Sequence, residues 1–147
     1  MTIKSFRGLI KDGVQDTIVL HTNDGSTGYR IVKFQLMSND YGTATADGQN
    51  SLVKIFKVSQ TTIDETLDFS DNTLLAAASF ERTTSLATYS EQIIFDREVF
   101  NQDIYVVHKD FTSGEPVNYY IELEQMPLAL DENTVATLKD IRNITGQ

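Results

Sequence analysis

Between Val117 and Met126 the chain alternates almost without fault. Val117, Tyr119, Ile121 and Leu123 occupy one set of positions, Asn118, Tyr120, Glu122 and Glu124 the other. Successive side chains of an extended strand point to opposite faces, so one face here is buried and one is wet. A fully covered parallel sheet reads instead as a continuous apolar run. The pattern predicts an antiparallel sheet with a solvated side.

Shorter pieces repeat the theme. Residues 3–10 and 16–22 are rich in branched side chains, and Lys11-Asp12-Gly13 between them reads as a hairpin turn. The stretch from Thr22 to Gly28 is turn chemistry throughout. Residues 29–37 alternate, which sets Val32, Phe34 and Leu36 on one face and Lys33 and Gln35 on the other. A polar loop over 39–50 leads into a strand over 52–58, interrupted by Lys54 and Lys57. Residues 61–72 are acidic and loop-like, with Ile63, Leu67 and Phe69 as anchors to the core. The alanine-rich run 74–80 fits a short helix or a buried strand, and the threonines at 83, 84 and 88 favour a strand. Further strands are expected at 92–95 and 103–109, the latter with Ile104, Val106 and His108 on its inner face. Pro116 follows a turn and is compatible only with the beginning of the next strand.

After Pro127 the period changes. Asp131 is a candidate N-cap, Leu130 and Val135 are placed to form a hydrophobic staple, and Gly146 supplies a stop. Val135, Leu138 and Ile141 then form one face of a helix over about 131–143. Eight or so short strands with no internal repeat and no dividing linker predict one domain over residues 1–147. Its expected architecture is mainly β: an antiparallel β-sandwich, jelly-roll-like, with a short C-terminal helix.

Composition narrows the function classes. Without cysteine there is no disulfide framework, zinc finger or thiol chemistry. With 21 acidic against 12 basic residues the net charge is −9, so there is no basic footprint for nucleic acid. The longest apolar run, 74–78, is far short of the ~20 residues that cross a bilayer, so no membrane partner is expected. Charges interrupt every apolar run from Met1 to Gly8, which is not the pattern of a signal peptide. The expectation is a protein made in a cytoplasm and kept there or released by lysis. On that basis the sequon Asn143-Ile144-Thr145 reads as an ordinary polar segment.

No constellation of reactive side chains emerges. His21 and His108 stand far apart, with neither ligand spacing nor a Gly-x-Ser-x-Gly motif to serve. Glu122 and Glu124 are neighbours on one strand face, which suits a solvated or subunit-facing stripe better than a pair across a cleft. Asn23-Asp24-Gly25 and Asp47-Gly48 lack calcium-loop spacing and read as turns. The reading therefore assigns no catalytic, cofactor-binding or metal-ligating residue, no cofactor and no enzyme activity.

The residues from Phe95 to His108, the segment Val117-Asn118-Tyr119-Tyr120-Ile121-Glu122-Leu123-Glu124 and the ending Thr137-Leu138-Lys139-Asp140-Ile141-Arg142-Asn143 resemble a group of small virion proteins of marine tailed phages. Ile3-Lys4-Ser5-Phe6-Arg7-Gly8 and Gly28-Tyr29-Arg30-Ile31 fit the same group. The resemblance implies a structural role in the virion, as a capsid decoration (cement) protein on the outside of the head. It implies the major capsid protein as partner, self-association as a trimer, and no cofactor. The segment Thr2 to Gly8 is the candidate for docking, with an ordinary edge strand as the alternative. A tail, neck or fibre location is the second reading. A host-glycan-binding module, with Tyr29, Tyr41, Tyr89 or Tyr120 stacking on sugar, is the third.

Overall fold

The structure is a computed structural model that describes residues 2–42, 48–85, 87–95, 98–129 and 134–138. Eight strands run in chain order: β1 (Thr2–Ile10), β2 (Gln15–Ile18), β3 (Thr27–Ser38), β4 (Gln49–Phe56), β5 (Leu74–Arg82), β6 (Thr88–Ile94), β7 (Ile104–Asp110) and β8 (Val117–Pro127). They form a three-stranded sheet, β1-β8-β3, and a five-stranded sheet, β2-β7-β4-β5-β6. Every ladder is antiparallel. The expected antiparallel sandwich is the fold, with helix at 134–138.

The winding is that of a jelly roll. β1 pairs with β8, β2 with β7 and β4 with β5, as nested rungs of one long hairpin rolled on itself. A fourth rung would join β3 to β6. Instead β6 keeps its ladder with β5 alone and meets β3 only by packing.

Alternation explains the core. Val117, Tyr119, Ile121 and Leu123 of β8 face Val53 and Ile55 of β4 and Ile104 and Val106 of β7 in one cluster. Most of these side chains have no exposed surface, and burying each contributes roughly 1.5–3 kcal/mol. The small Ala76 and Ala78 of β5 belong to the same cluster, and they let β3 pack closely over that strand.

Four sequence expectations need correction. The first concerns Lys11-Asp12-Gly13, which forms a turn, with Gly13 at φ +74° and Val14 N–H donating to the Lys11 carbonyl. Yet β1 and β2 lie in different sheets, so the turn carries the chain across the sandwich and closes no hairpin. Turn chemistry is the same whether the next strand pairs or departs.

The second is Val32. A β-bulge between Ile31 and Lys33 leaves Val32 without a partner on β8 and exposed, while Ile31 and Phe34 both face inward. One inserted residue shifts the phase of the strand.

Third, in the 61–72 loop Ile63 packs against Phe56, Leu74 and Val107 in a second cluster outside the main core. Leu67 and Phe69, expected as anchors, are exposed, although the Phe69 ring meets Phe95 edge-on at 5.0 Å.

Fourth, the helix at 134–138 turns Ala136 inward and leaves Val135 and Leu138 exposed. Thr137 holds it by accepting from Asn101 Nδ2 at 2.8 Å. Leu130, Asp131, Ile141, the sequon and Gly146 lie outside the described residues.

The two interrupting lysines follow from the second cluster. Lys54 points to the outer face of β4, where the 61–72 loop covers it. Its Nζ donates to the Thr66 carbonyl at 2.8 Å, reaches Asp64 at 3.4 Å and sits 5.6 Å from the Phe56 ring centre. Lys57 is buried and pairs with Glu98.

Candidate interaction surface

The outer face of the three-stranded sheet is uncovered, and the ladder registers fix what stands on it. Across β1, β8 and β3 the rows are Ile3, Glu124 and Arg30; then Ser5, Glu122 and Lys33; then Arg7, Tyr120 and Gln35; then Leu9, Asn118 and Met37. Opposite charges facing one another across strands stabilise by a few tenths to about 1 kcal/mol. Arg30 donates to Glu124 through Nε at 2.7 Å and Nη2 at 2.5 Å. Tyr120 donates its hydroxyl to Glu122 at 2.7 Å, and that bond raises the phenol above its ordinary value. Glu124 is thus paired with a cation and Glu122 with a phenol, and the two do not form an acid–base pair.

The upper rows differ from the lower ones. Arg7 has no carboxylate partner among the described residues. With Leu9, Gln35, Met37, Asn118 and Tyr120 it lines a shallow concavity of about 510 Å³. Asn118 anchors one wall by donating to the Ser38 carbonyl at 3.0 Å. Gly8 lies beneath it, where a Cβ would stand 3.0 Å from the Tyr119 ring, tighter than ordinary contact. That tyrosine is buried, donates to Asp16, and is pushed up to about 12 by burial first and the Asp16 charge second. Ile3, Leu9, Val32 and Met37 are exposed on this side of the molecule.

The docking candidate Thr2 to Gly8 is an edge strand, paired along its whole length with β8. Its other edge carries no ladder. Of the tyrosines considered for sugar stacking, Tyr29 is buried and stacks on Phe100 at 6.4 Å, so it is removed from the surface. Tyr41 and Tyr89 are exposed and Tyr120 lines the concavity.

The histidines sit at opposite ends of β7. His21 Nδ1 lies 2.7 Å from Asp103, which also accepts the amides of Leu20 and His21. Burial works to raise the Asp103 carboxyl, but these bonds outweigh it and hold it below the usual value. His108 is fully buried; Nδ1 meets the Ile10 carbonyl at 3.1 Å and Nε2 has no partner. Burial pushes its pKa down, so the ring is neutral.

Around His108 the sandwich end is polar. Ser51 donates to Asp110 at 3.2 Å, and Asp110 also accepts the amides of Thr112 and Ser113, fixing the turn after β7. Serine, aspartate and histidine are neighbours here, but the imidazole bonds to backbone and does not stand between the other two. Activating a hydroxyl needs the base within reach of it. The trio is a structural network.

Two further members, Gln49 and the fully buried Arg82, escaped the sequence reading. Arg82 donates to Ser38 Oγ at 3.1 Å and to the Asp40 carbonyl. Both were in phase with inward residues, Arg82 with Ala76, Ala78 and Phe80, and Gln49 with Ser51 and Val53.

Asp24 accepts from Ser26 and Thr22, bonds that hold its carboxyl below the usual range. Asn23-Asp24-Gly25 is a turn. Gly48 has φ +75°, and Asp47 lies outside the described residues. Among the described residues no group of three or more histidine or carboxylate side chains is placed to hold a metal ion. No model of a known protein family matches the chain, and a search of curated proteins finds no match.

Proposed function

We propose that the chain is a structural protein of a phage virion, most concretely a capsid decoration protein bound to the major capsid protein on the outer head. The observation that carries the reading is the uncovered outer face of the β1-β8-β3 sheet. Its lowest row holds the Arg30–Glu124 ion pair, and its upper rows expose Leu9 and Met37 beside Arg7, which has no carboxylate partner among the described residues. Isolated exposed apolar residues are common on soluble proteins; a face that gathers several of them beside an open strand edge suits protein association. The rigid sandwich behind it suits a part that must hold shape and not turn over substrate. The sequence resemblance to small virion proteins supports the same role.

Quantitative mass spectrometry of purified virions and of tailless heads tests it. Copy numbers comparable to the major capsid protein, retained in tailless heads, are expected. A handful of copies, or loss with the tail, would move the protein to the tail or neck.

The concavity at Arg7 favours one further reading. Its size falls within the range of small-ligand sites, and an arginine, two carboxamides and a tyrosine are chemistry that hydrogen-bonds and stacks on sugar. A glycan array probed with wild type and Tyr120→Ala distinguishes the two. Binding that is lost in the variant would favour host-glycan recognition, and no binding would leave decoration as the reading.

A further inference from the structure

At the end of the sandwich where β3 and β5 finish and β4 and β8 begin, two long polar side chains lie between the sheets. Gln49 has 0% and Arg82 2% of its surface exposed. They stand directly opposite one another in the β4–β5 ladder. Both point inward, Gln49 in phase with Ser51 and Val53, Arg82 with Phe80 and Ala78.

Each reaches across to the same end of the facing sheet. Gln49 donates through Nε2 to the Pro116 carbonyl at 3.1 Å and to Ser51 Oγ at 3.2 Å. Arg82 donates through Nη1 to Ser38 Oγ at 3.1 Å and to the Asp40 carbonyl. Ser38 pairs with Val117, the residue after Pro116, so the two anchors are neighbours across β3 and β8. A carbonyl can only accept, which turns Nε2 of the Gln49 amide toward Pro116 and leaves Oε1 over.

Gln49 Oε1 and Arg82 Nε are both buried and have no hydrogen-bond partner among the described residues. Buried polar groups of folded proteins are nearly always paired, with protein or with ordered water. One of these two atoms accepts and the other is a charged donor. Both lie the same number of bonds beyond Cβ, and opposed Cβ atoms of an antiparallel pair are about 4.5–5.5 Å apart. That is the span a single water bridges, with one bond of about 2.9 Å on each side.

We propose that Gln49 and Arg82 hold one internal water molecule, which accepts from Arg82 Nε–H and donates to Gln49 Oε1. The pair of groups selects this ligand. An anion would meet the carboxamide oxygen, and a metal ion would meet the guanidinium. Water is the smallest molecule that both donates and accepts. Buried waters make about three hydrogen bonds, and Ser38 Oγ and Ser51 Oγ, bonded to the same two side chains, are at hand for a third. The water ties β4 to β5 beneath the start of the chain that leaves β3. The inference stands independently of the virion reading.

A high-resolution crystal structure of the wild type tests it. One water is expected within hydrogen-bond distance of both Arg82 Nε and Gln49 Oε1. In solution, the Arg82 Nε–H signal is expected to show a nuclear Overhauser contact with a water that stays longer than the protein takes to tumble. In Gln49→Met, which keeps the side chain's length and removes the acceptor, that contact is expected to be lost while circular dichroism reports the folded sandwich.

Four results would overturn the inference. A direct bond between Nε and Oε1 leaves no place for the water. A dry site, with neither density nor the solution contact, removes it. An ion in the site, with the Nε–H signal shifting as chloride is added, makes it an anion site. A long-lived water retained undiminished in Gln49→Met means that Gln49 is not its second partner. Should that variant fail to fold, the wild-type structure and spectrum decide alone, since neither needs a substitution.

Discussion

The outer faces of the two sheets are treated in opposite ways. On the five-stranded sheet, Leu52, Lys54 and Phe56 of β4 point outward yet are buried, because the chain after β4 folds back over them. On the three-stranded sheet, Leu9, Val32 and Met37 point outward and stay exposed. The same chain covers one apolar face and leaves the other bare. Coverage also decides what a cation becomes: Lys54 is pinned by Asp64 and a carbonyl under the loop and Lys57 by Glu98, whereas Lys4 and Arg7 on the β1 edge have no carboxylate partner among the described residues.

Several measurements break or sharpen that contrast. Phe56→Ala removes the centre of the covered cluster, and a loss of about 3–5 kcal/mol is expected in denaturant unfolding. A loss below about 1 kcal/mol would mean that the loop lies over β4 without packing on it.

Gly48→Ala comes next. At φ +75° a Cβ would stand 2.6 Å from the Arg82 carbonyl oxygen, and that backbone cannot yield cheaply. The left-handed conformation alone costs about 1–2 kcal/mol in a non-glycine residue, so the total should exceed that. A neutral substitution would refute the close approach.

Acid should act through His108. Its folded pKa lies below the ordinary value of about 6.5. Under that value the unfolded chain binds a proton that the folded chain refuses, so stability falls as pH drops from about 6.5 toward the folded pKa. Urea titrations between about pH 5 and 6.5 should show this slope in the wild type and a flatter one in His108→Gln. Equal slopes would mean that the imidazole is not held neutral.

On the bare face, Glu124→Gln should cost about 1 kcal/mol, because the partly buried pair loses its ionic attraction while the carboxamide oxygen still accepts from Arg30. Met37→Ala should stay within about 0.5 kcal/mol. If Met37→Ala destabilised the isolated domain by more, the residue would belong to the core and not to a docking face.

The sandwich was legible because alternation reports burial directly, and β8 carried that signal along most of its length. What stayed hidden has physical reasons. A bulge such as Val32 leaves no mark in composition, since any residue can be the inserted one. The partner of β1 lies more than a hundred positions away in β8, and no local pattern encodes that distance; the turn at Gly13 therefore read as a hairpin. Of the candidate surface, the Glu122 and Glu124 stripe was visible in the alternation. Its cationic partner Arg30 and the concavity beside Arg7 were not, because both depend on which strands stand side by side. The helix misled for a simpler cause: its apolar spacing was real, but the buried position went to the small Ala136, which allows close approach.

The position of β8 has a consequence for biosynthesis. It is the central strand of its sheet, lying between β1 and β3, and it is also the last strand to be made among the described residues. Once β3 has left the ribosome, about 90 more residues must follow before β8 arrives, a delay of roughly 5–20 s at ordinary translation rates. For that time the first strand of the protein is a finished edge with nothing beside it. Lys4 and Arg7 would keep neighbouring nascent chains apart on a polysome until that partner arrives.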